Sequence, residues 1–250
     1  METGHERLKL SIAYDGRRFR GWQSQASDDA VQDHLEQALQ KLVGRRVVVH
    51  GAGRTDAGVH ALGQIAHADV PARKFPPRTW LLAINANLPP EVRVLRVQKA
   101  APGFHARFDA RGKVYAYRLW FAPFLHPLEI GRAWHVPVPL DLALLRAGGA
   151  LLCGTHDYSS FVVNRGHVEK DTVRTIETIH ITRRGPLITL RFEGTGFLYK
   201  MVRMLTGSLV RCAQGKAPLT WLETLLKNKG AAKTHFAAPA EGLYLERVLY

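Results

Sequence analysis

Leu8, Leu10, Ile12 and Tyr14 alternate with Lys9, Ser11 and Ala13, a period of two that predicts a strand closing at the turn Asp15-Gly16. The period then lengthens. Val31, Leu35, Ala38, Leu39 and Leu42 recur at helical spacing, with Ser27 or Asp28 to cap the start and Gly44 to stop the end. Strands are predicted over 47–50 and 64–70, on either side of a glycine-rich turn, followed by a short helix over 78–84 and a strand over 92–98. The second half repeats this order loosely, with a strand over 113–120, a helix over 142–152, and strands over 173–182 and 187–193 joined at Arg184-Gly185-Pro186. Phe197, Met201, Met204, Leu205, Ser208 and Cys212 trace the buried face of a helix ending at Gly215. A helix over 221–226 and a strand over 243–249 complete the pattern.

Strand and helix alternating in both halves predict an α+β protein, two halves contributing to one mixed, mainly antiparallel sheet with helices on one face. The other face would then be open to a flat ligand. The expected halves are 1–105 and 106–250, with the seam near Ala100 to Ala110; identity between them is too weak to be a repeat.

Charge narrows the partners. Lys and Arg number 35 against 21 Asp and Glu, a formal net charge of +14, which favours a polyanion and above all nucleic acid. Cys153 and Cys212 are the only cysteines, so neither a disulfide framework nor a four-cysteine zinc site is available. Met1 to Leu10 has no apolar run of signal-peptide length, and no uninterrupted apolar stretch of about eighteen residues occurs. The expectation is a cytoplasmic protein without a membrane span. His60 with His67, and Cys153 with His156, have spacings a metal could use, but neither pair finds further ligands nearby in sequence, and no metal is expected.

The chemistry concentrates in Gly51-Ala52-Gly53-Arg54-Thr55-Asp56-Ala57-Gly58-Val59-His60. A dinucleotide fingerprint would put its third glycine at Asp56, and a P-loop would need Lys-Ser/Thr where Val59-His60 stands. A carboxylate inside a phosphate cradle would also repel its ligand. Asp56 could cap a short helix over 57–62. Its small neighbours equally suit a reactive carboxylate approached by a bulky planar group, with Arg54 beside it for a phosphate or for the carboxylate itself.

The run GAGRTDAGVHA at Gly51 to Ala61 resembles the catalytic motif of the pseudouridine synthases that modify the tRNA anticodon arm, the TruA family. Further segments fall in that family's order: YDGRRFRGWQSQ (Tyr14 to Gln25), NANLP (Asn85 to Pro89), FHARF (Phe104 to Phe108), KVYAYRL (Lys113 to Leu119), MVRMLTGSL (Met201 to Leu209) and EGLYL (Glu241 to Leu245). The resemblance implies the pseudouridine synthase fold of two RRM-like halves, and an isomerase that converts uridine to pseudouridine at tRNA positions 38, 39 and 40 without a cofactor. By the same resemblance Asp56 is the nucleophile, Arg203 supports its charge, Tyr115 packs against the target uracil and Leu245 lines the same pocket. Alternation puts Tyr115 and Tyr117 on one strand face, where both could be core. Only the resemblance separates them.

Such an enzyme must unstack its uridine and hold RNA phosphates. Arg17, Arg18, Arg20 and Trp22 in one loop, with Arg54, Arg107, Arg111 and Lys113, are the candidate contacts. The family acts as a homodimer on tRNA. Two other readings compete: a non-catalytic RNA-binding protein of two RRM-like halves, which lacks an evident aromatic RNP signature and leaves Asp56 unexplained, and a nucleoside glycosidase, which would release uracil.

Overall fold

The structure, a computed structural model, describes residues 4–25, 29–163 and 171–250. The chain divides into two compact units, Met1–Arg111 with Leu245–Tyr250, and Gly112–Tyr244.

The first unit contains β1 (His5–Tyr14), α1 (Val31–Val43), β2 (Val49–Gly51), β3 (His60–Pro71), α2 (Pro77–Ala86) and β4 (Val92–Ala100). β1 lies between β3 and β4 and is antiparallel to both, Leu8 facing Ala68 on one side and Lys99 on the other. Its alternation is realised as expected: Leu8, Leu10 and Ile12 are wholly buried. The helices bury Leu35, Leu39, Trp80 and Ile84. Each such side chain contributes about 1.5–3 kcal/mol relative to an exposed one. Asn85 of α2 ties the helix to β4 with both ends of its amide, donating to the Val94 carbonyl (2.8 Å) and accepting from the Val94 N–H (2.9 Å).

The start of α1 corrects the sequence reading. The capping position is Ala30, and Asp33 in the first turn accepts from the Ala30 N–H at 2.9 Å; Ser27 and Asp28 lie outside the described residues. The stop is as expected, Gly44 in the left-handed conformation.

The second unit contains β5 (Gly112–Trp120), β6 (Trp134–His135), α3 (Leu142–Leu151), β7 (Gly154–Asp157), β8 (Val173–Arg184), β9 (Leu187–Gly194), α4 (Met201–Ala213) and α5 (Leu219–Lys227). β5, β9, β8 and β7 pair in that order, all antiparallel, and β6 adds a short parallel pairing to β5. Both units are therefore α+β. The short strands β6 and β7 carry too few residues for a readable period. α4 begins at Met201 rather than at Phe197, because Lys200 takes a left-handed backbone (φ 58°) that a helix cannot contain. A last strand, β10 (Leu243–Leu249), returns the chain to the first unit, a return that two contiguous halves do not include.

Candidate active site

Asp56 sits half-buried at the first position of a tight turn. Its carbonyl accepts from the Val59 N–H at 3.1 Å, and Gly58 supplies the positive φ (80°) at the third position, a type II pattern. The chain then enters β3 at His60, so no helix follows and the helix-cap alternative is corrected: the turn is closed by backbone, and the next hydrogen bonds belong to a strand.

The turn is fastened from several sides. Ala52 N–H donates to the Ile65 carbonyl (2.7 Å), the fully buried Gln64 amide donates to the Gly53 carbonyl (2.8 Å), and Thr55 hydroxyl and Tyr14 hydroxyl lie 2.8 Å apart. Burial pushes the Tyr14 phenol well above its ordinary pKa, with its bonds to Thr55 and Gln64 pulling the other way. The phenol is neutral.

The segment YDGRRFRGWQ wraps this turn. Trp22 N–H donates to the Thr55 carbonyl at 3.1 Å, and Arg54 Nε donates to Gln23 Oε1 at 3.2 Å. Trp22 itself is 2% exposed, its indole pressed on Gly51, where a Cβ would stand 2.4 Å from the ring. A ring so enclosed has no face for a nucleotide, so Trp22 is corrected from an RNA contact to the packing beneath the Asp56 turn. Arg17, Arg18 and Arg20 do reach the surface. Arg17 pairs with Asp15 at 2.6 Å and Arg18 with Glu91. Asp15 is half-buried, which alone would raise its pKa; the bonds from Arg17 and the nearby His60 outweigh that and hold its carboxyl below the usual range.

In the second unit Tyr115 is 8% exposed, its ring edge-on to Phe197 at 5.2 Å. Tyr117, two residues along β5, is wholly buried and donates to the Pro239 carbonyl at 2.7 Å. The bland expectation thus describes Tyr117 well. Burial drives the Tyr117 phenol well upward, while the positive charge of Arg203 pulls it down.

Arg203 occupies the first turn of α4. Its Nε donates to the Ala238 carbonyl at 2.8 Å, and the Ala238 N–H donates to the Arg203 carbonyl at 3.0 Å. This reciprocal pair ends a strap, residues 234–238, laid along the helix. Ser208 Oγ donates to the buried Thr234 hydroxyl at 3.0 Å, and at Gly207 a Cβ would meet the Phe236 carbonyl at 1.7 Å, so only glycine lets the strap lie this close. Nothing in the hydrophobic pattern announces the strap. The strained Lys200 backbone immediately before α4 is the second local feature that pattern misses. Leu245, in β10, is fully buried.

His60 and His67, singled out from sequence, are buried acceptors. His60 Nδ1 accepts from the Gly16 N–H (3.1 Å), and His67 Nδ1 from the Ala106 N–H (3.1 Å). Cys153 donates to the Gly149 carbonyl, and His156 contacts the Cys153 carbonyl, not its sulfur. Among the described residues no group of three or more His, Cys, Asp or Glu is placed to hold a metal ion, and no helix is long and apolar enough to cross a membrane.

An α+β protein with a net charge of +14 and a half-buried carboxylate on a small-residue turn has the features of an enzyme that acts on nucleic acid. The family comparison makes the assignment specific: the model described as tRNA pseudouridine synthase matches residues 10–109 and 150–250, and this chain belongs to that family. Members are isomerases that convert uridine to pseudouridine in tRNA. The curated tRNA pseudouridine synthase A of Akkermansia muciniphila is 43% identical over 98% of this chain and 95% of its own length. That of Geobacillus kaustophilus is 41% identical over 98% and 95%, and that of Lactobacillus acidophilus 39% over 98% and 94%. Tyr115 falls between the two matched intervals, so its comparison rests on these whole-chain relatives. A solved structure titled as a Cbf5-Nop10-Gar1 complex aligns at 11% identity with a TM-score of 0.39, covering 81% of this chain and 44% of that one; at that level it adds nothing to the fold.

Proposed function

We propose that this protein isomerises uridines at positions 38, 39 and 40 of the tRNA anticodon stem and loop, with Asp56 as the group that acts at C1′. The observation carrying this is the Asp56 turn: a half-buried carboxylate followed by Ala57 and Gly58, whose small size suits the approach of a ribose and a flipped base, on a turn closed by backbone bonds.

The reaction breaks the N1–C1′ bond, its electron pair leaving with uracil. The uracil turns and its C5 bonds to C1′, after which the C5 proton is lost and reappears on nitrogen. An ionised Asp56 serves either by bonding C1′ and being displaced when C5 attacks, or by stabilising the cation-like ribose. Arg203 supplies positive charge in support of the carboxylate at the reacting centre. Tyr115 packs against the uracil and Leu245 against the same group. Arg54 meets a phosphate beside the target, and Arg17, Arg18 and Arg20 hold the flanking backbone. Atoms and oxidation state balance without a cofactor. The working form is a homodimer in the cytoplasm.

The test is to incubate unmodified tRNA with the protein alone, digest to nucleosides and separate the products. Pseudouridine is expected. Free uracil would mark a glycosidase, and unchanged uridine an RNA-binding protein without this activity. Transcripts substituted singly at positions 38, 39 and 40 then read out the sites. Because the chain carries a net charge of +14, tRNA affinity should fall steeply with salt; equal dissociation constants at low and high salt would remove electrostatic binding from the account.

A further inference from the structure

We propose that the second unit carries an auxiliary nucleotide-binding pocket, at the far end of α4 from Arg203, that takes an unstacked nucleotide of the tRNA other than the target uridine. An open cavity of about 480 Å³ lies there, lined by Arg211, Lys216, Pro218, Thr220, Trp221 and Phe236 among others. Its size falls within the range of small-ligand sites. Arg211 follows Arg203 by eight residues on one helix, about 12 Å along its axis, so the pocket is separate from the Arg203 end of the helix.

Two kinds of group meet in it. The Arg211 guanidinium lies 4.1 Å from the centre of the Phe236 ring, and the Phe236 and Trp221 rings stand 6.2 Å apart at 67°. A base can stack on one ring and meet the edge of the other. Phe236 is 41% exposed although large and apolar. Among the described residues neither Arg211 nor Lys216 makes an ion pair with a carboxylate. Cations without acidic partners beside accessible aromatic faces match a phosphate attached to a planar base, and RNA is the substrate class of this family.

The inference rests on tRNA as substrate, so the wild-type protein is first checked for pseudouridine formation. Unmodified tRNA is then titrated across a salt series with wild type, Arg211→Gln, Lys216→Gln and Trp221→Leu, each checked for a wild-type thermal melt. Each cation variant should weaken binding roughly threefold and flatten the log-log salt slope by about 0.7–0.9, the value of one phosphate contact. Trp221→Leu should weaken binding about tenfold with the slope unchanged, as loss of a stacked base does. Ultraviolet crosslinking of the wild type to tRNA, which needs no variant, should attach a nucleotide to the peptide bearing Trp221 or Phe236. Unchanged affinity in Trp221→Leu overturns the proposal, even where the cation variants flatten the slope, since Arg211 and Lys216 would then act as diffuse surface charge. Crosslinks confined to residues outside 211–236 overturn it equally. Failure of wild type to form pseudouridine counts against the tRNA reading itself, and the binding series separates the two.

Discussion

The Asp56 turn and the Arg203 helix each fix one charged side chain, by different means. At the turn the fastening is done by the backbone and by neighbours: Val59 N–H to the Asp56 carbonyl, Trp22 N–H to the Thr55 carbonyl, Gln64 to Gly53, with Trp22 packed on Gly51. At α4 the arginine side chain is itself a fastener, because its Nε holds the Ala238 end of the strap. The bonds that close the Asp56 turn run between backbone groups and do not need the carboxylate charge. In that sense the charge and the turn's backbone bonds are separable at Asp56, whereas the guanidinium and the strap are coupled at Arg203.

The largest effect tests the separable side. Asp56→Asn keeps the size and the turn but removes the charge, and turnover should fall by roughly four or more orders of magnitude, as loss of a nucleophile does. The thermal melt should stay within a degree or two of wild type and tRNA should still bind. Conversion within tenfold of wild type, in single-turnover reactions with excess folded variant, would show that the carboxylate does no chemistry. Arg203→Ala tests the coupled side. Turnover should drop about a hundredfold from lost charge support, and the melt should also fall, because Ala238 loses its guanidinium partner. Parallel loss of tRNA affinity and turnover would instead make Arg203 a phosphate contact. A third substitution disturbs the strap and leaves Arg203 in place: in Gly207→Ala the added carbon meets the Phe236 carbonyl, so the strap must shift, at a cost of about 2 kcal/mol in urea unfolding. A melt equal to that of wild type would mean the strap moves without penalty.

Legibility in the sequence follows the same division. Elements with a sustained period were readable, as β1, α1 and β9 show, since burial of one face dictates the spacing of apolar residues in each. The Asp56 motif was readable because its chemistry is compressed into ten consecutive residues. The strap was not, because its contacts join 234–238 to α4 through single atoms of Gly207, Ser208 and Arg203 that leave no period. Trp22 was misread for a related reason. Beside three arginines it resembles an RNA platform, and only the missing Cβ of Gly51, about thirty residues away, reveals that the indole is occupied.

The smallest effect follows β3 away from the turn to His67, which is 2% exposed, stacked on His50 at 4.9 Å and edge-on to His105 at 4.7 Å. Burial lowers its pKa to about 4, with the positive charges of Arg7, His50 and His105 adding to the effect. Its Nδ1 accepts from Ala106 N–H, so the ring is neutral when folded and protonation would break that bond. The unfolded chain takes up this proton near the ordinary histidine value of about 6.5. The stability His67 contributes is therefore complete above that value and lost as pH falls from about 6.5 toward 4, reaching a loss of about 1 kcal/mol by pH 5.5. His67→Gln can still accept from Ala106 and does not titrate. Urea midpoints of wild type should fall between pH 7.5 and 5.5 by more than those of the variant, and the gap should close above pH 7. Equal acid sensitivity in both proteins would show that His67 exchanges its proton without strain and that the acid response of the first unit arises elsewhere.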